Sequence, residues 1–169
     1  MNMLSKLFGK KSGAPVPPIV AAVKKGNIRK VRQLLETGVC VESRDEAGQN
    51  LLILAVHTGE RNLVRLLLEY GADPDSDYGN PLHFAATNGN IGMIALLLEN
   101  GADIDQQSAF GQQTALHLAS YKGHADVVRY LIEKGANPDL RDRNNETPLA
   151  FAKKHELHEC VSILESAAR

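Results

Sequence analysis

The stretch that decides the fold runs from Thr114 to Asp139 and reads TALHLASYKGHADVVRYLIEKGANPD. Thr114 can cap a helix, because its hydroxyl accepts a hydrogen bond from a free amide of the first turn. A second apolar helical pattern follows Gly123 and ends at Gly135. Glycine readily adopts the left-handed conformation that ends a helix. The stretch therefore predicts two short antiparallel helices followed by a turn.

The same pattern occurs four times along the chain. Each copy ends in a glycine that lies 12 residues after an earlier glycine. The closing glycines are Gly38, Gly71, Gly101 and Gly135, at intervals of 33, 30 and 34 residues. Self-similarity at such a period is typical of repeat proteins, in which each unit packs only against its neighbours.

Two copies in particular resemble the ankyrin repeat. The matching segments are Asn80-Pro81-Leu82-His83 with Gly101-Ala102, and Thr114-Ala115-Leu116-His117 with Gly135-Ala136. The resemblance covers about residues 18–169 and implies an all-α solenoid of helix–turn–helix units with short β-turn fingers. It divides the chain into five units, at about 18–42, 43–75, 76–105, 106–139 and 140–169, of which the first and last are expected to act as caps.

Several positions depart from the repeat. The second unit has Asn50 where the motif has Thr, and the third finger is expected to be short around Asp77 and Tyr78. The fourth finger has an extra residue near Gln112, and Glu156 stands where a glycine is expected between the last two helices. These departures predict local changes in the fingers and in the C-terminal cap.

Residues 1–17 are predicted to form a basic tail and a proline-rich linker outside the repeats. Eight basic residues and no acidic one precede Glu36, although the net charge of the whole chain is -1. Proline-rich segments are stiff and extended, so this linker would hold the tail apart from the helices.

No group of residues predicts catalysis, a metal site or a cofactor. His83 and His117 are the motif histidines, for which the resemblance implies a structural role. No Ser or Cys lies in the sequence context of a catalytic nucleophile. His155 and His158 are three residues apart, whereas a zinc-protease helix spaces its histidines by four. The chain is therefore expected to be non-enzymatic.

Cysteine content and hydropathy indicate a compartment. No apolar run approaches the roughly 20 residues that a membrane span needs, so stable membrane insertion is not expected. Cys40 and Cys160 are the two cysteines, and the predicted repeats place them too far apart for a disulfide. A reducing, cytoplasmic location follows as the default expectation.

The resemblance implies that a protein partner lies against the concave side of the stack, formed by the finger tips and the first helices. The predicted binding residues are Glu46, Gln49, His57, Asp75, Asp77, Tyr78, Asn88, Phe110, Gln112, Tyr121, Lys122, Arg143 and Asn144. Tyr78, Phe110 and Tyr121 are expected to be the anchors, since aromatic side chains that packing does not require are typical of interaction hot spots.

The predicted fingers are rich in acidic residues, which we call the acidic rim: Glu42, Asp45, Glu46, Asp73, Asp75, Asp77, Asp103 and Asp105. Such a rim would attract a basic surface on a partner protein and would repel nucleic acid.

The sequence thus predicts a non-enzymatic protein-binding module that is monomeric when free. Its small size and the absence of a second domain favour a stoichiometric inhibitor, such as an immunity-type protein that neutralises a toxin or an enzyme. One alternative is an adaptor or scaffold. Another is a membrane-surface regulator that uses the basic tail, although one short amphipathic segment gives only marginal membrane binding.

Overall fold

The computed structural model describes residues 16–75 and 80–167. Within these ranges ten helices form five consecutive pairs, which confirms the predicted all-α solenoid. The pairs are α1 (Pro18–Lys24) with α2 (Ile28–Glu36), α3 (Leu51–Thr58) with α4 (Arg61–Glu69), α5 (Pro81–Thr87) with α6 (Ile91–Glu99), α7 (Ala115–Lys122) with α8 (Ala125–Glu133), and α9 (Pro148–Lys154) with α10 (His158–Ala167). The predicted tail up to residue 15 lies outside the described residues, as do Asp77 and Tyr78.

The helices lie in two layers. The first helices of the pairs (α1, α3, α5, α7 and α9) pack against one another in series, and we call them the inner helices. The second helices, here called the outer helices, form the other layer. From α2 to α8 the outer helices contact one another less extensively than the inner helices do. The stack therefore curves with the inner helices on its concave side.

Side-chain caps begin α3, α5, α7 and α9, of which the sequence predicted the last three, whereas α1 begins after Pro17 without one. The side chains of Asn80, Thr114 and Thr147 each accept a backbone N–H from the first turn of the helix that follows. Asn50, the departure from the motif, does the same for α3. Helix α3 therefore begins in the same way as the helices capped by Thr, because the Asn and Thr side chains both accept a backbone N–H.

The core is a continuous layer of aliphatic side chains between the inner and outer helices. Leu67, Leu97 and Leu131 of three successive outer helices are fully buried, and so are Leu82 and Leu116 of two inner helices. Helices of 7–10 residues are too short to be stable alone in water. Their stability therefore comes from stacking, with about 2 kcal/mol for each leucine removed from water.

Left-handed backbone positions follow the predicted plan. The closing glycines Gly38, Gly71, Gly101 and Gly135 have φ angles of 87°, 83°, 90° and 92°. Two of the departures adopt the same region without glycine, since φ is 56° at Glu156 and 52° at Gln112. The last inter-helix turn therefore keeps its shape although an L-residue occupies it.

The described helices are all too short or too polar to cross a membrane. In the same part of the chain, no three His, Cys, Asp or Glu side chains come together as metal ligands. Cys40 is exposed and Cys160 is buried, and both are free thiols.

Candidate functional site

Two buried histidines join inner helices to the fingers that follow them. His83 Nε2 lies 2.9 Å from the carbonyl oxygen of Gln106, and His117 Nε2 lies 3.1 Å from that of Glu146. His117 Nδ1 also accepts the backbone N–H of Thr114 at 3.2 Å. The acceptor role of Nδ1 places the ring proton on Nε2, from which it is donated to Glu146. The structural role implied for both histidines is confirmed.

These histidines predict a pH dependence of stability. Burial lowers the pKa of His83 and of His117 below the ordinary value of 6.5. Below that pH the unfolded chain binds protons more readily than the folded chain does. The stability that the two neutral rings contribute is therefore fully present above pH 6.5 and is lost as the pH falls toward their folded pKa values. We expect the urea midpoint to fall between about pH 7.5 and about pH 5.5.

A variant with His83→Gln and His117→Gln is the control for this prediction. Glutamine can still donate to the finger carbonyls but does not titrate, so its urea midpoint should change less over the same range. The lowered pKa of Asp142 acts near and below 3.8 and does not enter this window. An equally steep pH dependence in the double variant would contradict the assignment.

Carboxylates at the finger bases join consecutive repeats. In three steps along the stack a carboxylate accepts the backbone N–H of a residue in the next repeat over 2.9–3.0 Å: Glu42 from Asp73, Asp75 from Asp103, and Asp105 from Asn137. These side chains hold the fingers in register and are not free to contact a partner with the oxygens already in use.

Asp75 is one of the predicted binding residues, but its side chain is not freely open to solvent. Its carboxylate is partly buried and accepts the Asp103 N–H through both oxygens at 3.0 Å. Burial raises its pKa, an effect that the nearby negative charges of Asp103 and Asp73 reinforce. Neutralising Asp75 would therefore disturb the stacking of two repeats.

At the N-terminal end of the acidic rim, one carboxylate is already paired with a lysine. Lys24 Nζ lies 2.8 Å from Asp45 Oδ2, and this hydrogen bond is the largest of the effects that lower the pKa of Asp45. Glu46, beside it at the tip of the second finger, is exposed. The rim thus keeps its negative charge but presents fewer available carboxylates than the sequence indicated.

An open groove of about 550 Å³ lies on the concave side between the first two repeats. Its lining residues are Lys24, Lys25, Gly26, Gln49, Leu54, His57, Thr58 and Glu60. The predicted binding residues Gln49 and His57 therefore come together. The His57 ring packs edge-on against Phe84 of the next repeat, with ring centroids 4.3 Å apart.

Phe110 is the most exposed large apolar side chain among the described residues. Its ring lies at the tip of the fourth finger and is 85% exposed. The backbone beside it is fixed, because Gly111 O accepts the N–H of Arg143 at 2.9 Å and Gln107 Nε2 donates to Arg141 O at 2.9 Å. The fourth and fifth fingers therefore present Phe110 on a rigid support.

Tyr121 is only half available. Its side chain is 44% exposed, and its ring packs edge-on against His155 at 4.8 Å and Phe151 at 6.2 Å between centroids. Lys122 Nζ lies 5.3 Å from the centre of the Tyr121 ring. A partner would meet the free side of this ring together with the ammonium group.

The remaining predicted residues are placed as follows. Gln112 and Asn144 are exposed on the fourth and fifth fingers, close to Phe110 and Arg143 along the chain. The Asn144 N–H donates to Asp142 Oδ1 at 2.8 Å, so Asn144 also shapes its turn. Asn88 is exposed at the C-terminal cap of α5.

Sequence reasoning did not predict the rings that hold these aromatic side chains. Phe84 supports His57, and Phe151 supports Tyr121. Both phenylalanines are the fourth residue of their inner helices. This shared position could have predicted the packing, because the fourth residue of an inner helix faces the end of the preceding inner helix.

Comparison with known proteins agrees with the geometry. The family model described as ankyrin repeats (3 copies) matches residues 19–108 and 82–168. The chain is 39% identical over 66 residues to the inactive serine/threonine-protein kinase TEX14 of Mus musculus, and 43% identical over 61 residues to ankyrin repeat domain-containing protein 63 of Homo sapiens. These matches cover 37% and 34% of this chain but only 5% and 16% of those proteins, so the chain spans a small part of their length.

Proposed function

Since this chain belongs to the ankyrin-repeat family and is a protein–protein interaction module, we propose that it binds its partner on the concave face, across the fingers and the inner helices. Phe110 is the observation that carries the proposal. An aromatic ring that is 85% exposed gains about 2 kcal/mol or more when a partner covers it. The hydrogen bonds that fix its finger reduce the conformational entropy lost on binding.

Phe110→Ala and Tyr121→Ala test this proposal. Each should weaken binding of a partner isolated by affinity purification by about 2 kcal/mol, chiefly through faster dissociation, because buried aromatic contacts determine the lifetime of a complex. Surface plasmon resonance with the full chain gives both rate constants. Circular dichroism confirms that the variants remain folded.

Tyr70→Ala is the matched control. Tyr70 is 36% exposed and caps the C-terminal end of the outer helix α4, away from the proposed face. Its removal should leave both rate constants unchanged. Unchanged affinity of a folded Phe110→Ala, Tyr121→Ala double variant would move the site away from the concave face.

A direct assay of the partner's activity distinguishes an inhibitor from an adaptor. A stoichiometric inhibitor of a toxin or an enzyme would abolish the partner's activity at a ratio of one to one, whereas an adaptor would leave that activity intact. The inhibitor role stays a prediction from the sequence. So do the adaptor alternative, the cytoplasmic location, the monomeric state and the use of the tail at a membrane surface.

The charge of the partner was predicted to be basic. Exposed carboxylates of the acidic rim support this prediction for the fingers, namely those of Glu46, Asp73 and Asp103. Such charges mainly speed association and lose their effect at high salt. The inner helices differ in sign, since they carry lysines and no acidic residue.

A further inference from the structure

The inner helices contain no acidic residue. None of α1, α3, α5, α7 and α9, and none of the residues that cap their C-terminal ends, is Asp or Glu. The lysines at these helix ends are Lys24, Lys25, Lys122, Lys153 and Lys154. By contrast, exposed glutamates end four outer helices, namely Glu36, Glu69, Glu99 and Glu133. The outer helices also carry arginines and a lysine, so only the inner layer as a whole carries charge of a single sign.

Part of this positive charge is already neutralised. Lys24 pairs with Asp45, Lys153 with Glu165 at 2.8 Å, and Lys154 with Glu146 at 3.2 Å. Lys122 and Arg143, by contrast, form no ion pair with any residue in the described ranges. Lys122 and Arg143 thus remain available in the C-terminal half of the concave face.

These cations lie in the same two repeats as the exposed aromatic rings. Lys122 lies over the ring of Tyr121. The backbone N–H of Arg143 donates to the carbonyl oxygen of Gly111, next to Phe110. Residues 107–113, which form the fourth finger, include no Asp or Glu. A partner approaching Phe110 therefore meets apolar rings and positive charge, with no free carboxylate on that finger.

We propose that Phe110, Tyr121, Lys122 and Arg143, here called the aromatic–basic patch, bind an acidic segment of the partner that carries an apolar side chain. The proposal rests on the proposed use of the concave face and names the chemistry recognised there. Carboxylates pair with a guanidinium through two parallel hydrogen bonds and with the Lys122 ammonium. The apolar side chain covers Phe110.

The acidic rim fixes the direction in which such a segment lies. Its carboxylates belong to the first three repeats, whereas the aromatic–basic patch belongs to the fourth and fifth. Like charges repel an acidic segment from the rim and opposite charges draw it to the patch, so the two regions together select one orientation. A nucleic acid would also meet the cations, but its phosphates extend in both directions and would reach the rim.

The test selects peptides from a random 12-residue display library on the full chain. Enriched sequences should combine an excess of Asp and Glu with at least one aromatic or aliphatic residue. The most enriched peptide, synthesised with a fluorescent label, should bind at least tenfold more weakly to a Lys122→Glu, Arg143→Glu variant. Its affinity should also decrease as the salt concentration rises.

Lys134→Glu is the matched control. Lys134 Nζ lies 5.5 Å from the centre of the Tyr130 ring, which repeats the Lys122–Tyr121 arrangement on an outer helix. The same reversal of charge beside the same type of ring should change the affinity of the peptide less than twofold.

The possible outcomes distinguish a failure of the aromatic–basic patch from a failure of binding on the concave face. Basic or uncharged peptides that depend on Phe110 would overturn the inference and leave the concave face as the binding site. Peptides that bind the Phe110→Ala variant and the charge-reversed variant as tightly as they bind the unaltered chain would overturn both. Displacement of the labelled peptide by a 12-nucleotide oligothymidine would assign the patch to nucleic acid and overturn the inference, and so would a failure to enrich any acidic sequence.

Discussion

Gly123→Ala is expected to lower the free energy of unfolding by about 3 kcal/mol, whereas Gly59→Ala should lower it by about 1 kcal/mol. The two glycines follow inner helices at equivalent positions, with φ angles of 75° and 74°. A Cβ at Gly59 would meet nothing within 4 Å, but at Gly123 it would lie 2.9 Å from Leu157 Cδ2. Because the backbone strain is the same, the difference between the variants measures the contact with Leu157.

A double-mutant cycle with Leu157→Ala isolates that contact. In the Leu157→Ala background the substitution Gly123→Ala should cost only about 1 kcal/mol, as at Gly59, because the shortened side chain no longer reaches the new methyl group. Urea denaturation followed by circular dichroism gives all four free energies. The same cost in both backgrounds would show that the contact is not the cause.

The fold could be predicted because its determinants are local. Asn80 and Thr114 begin helices with their own side chains, and glycines such as Gly135 end them with their own backbone. In a solenoid each unit contacts only its neighbours, so local rules repeated along the chain define the architecture. The inter-helix turn at Glu156 was less predictable, since an L-residue there adopts the left-handed region only when the neighbouring packing requires it.

The candidate site could be predicted only in part. Phe110 lies at a finger tip, where no neighbouring unit covers it, and its exposure follows from its position in the repeat. Glu46 and Asp75 look alike in the sequence, yet only Asp75 accepts a backbone N–H from the next repeat. Tyr121 is half-covered by rings of the following repeat. Contacts of this kind depend on how consecutive units stack, which one unit's sequence does not encode.

His117→Ala is expected to have the largest effect on stability, a loss of about 4 kcal/mol. The ring is fully buried, and its removal leaves the Thr114 N–H and the Glu146 carbonyl oxygen without their partner. It also leaves a cavity beside Phe151, whose ring packs against it at 5.8 Å between centroids. Buried polar groups without partners cost about 1–3 kcal/mol each, and the cavity adds to that cost.

His83→Ala is the matched control, with an expected loss of about 2 kcal/mol. In the described part of the chain His83 makes one ring hydrogen bond, to Gln106, and Asn80 caps the helix without help from the ring. Urea denaturation measures both losses. Equal losses would contradict the role assigned to Nδ1 of His117.

Loss of the His117 ring should also loosen the fifth finger, because the hydrogen bond to Glu146 O attaches that finger to α7. That finger presents Arg143, whose N–H binds Gly111 O beside Phe110. Hydrogen exchange by NMR should therefore show faster exchange of the Arg143 amide in His117→Ala than in His83→Ala. If His117→Ala does not fold, His117→Gln serves instead, since its amide can donate to Glu146 O but cannot restore the bond to Thr114 in the same geometry. If the Arg143 amide exchanges at the same rate in both variants, the order of the fifth finger does not depend on His117. The rigidity of Phe110 would then depend on contacts between the fingers alone.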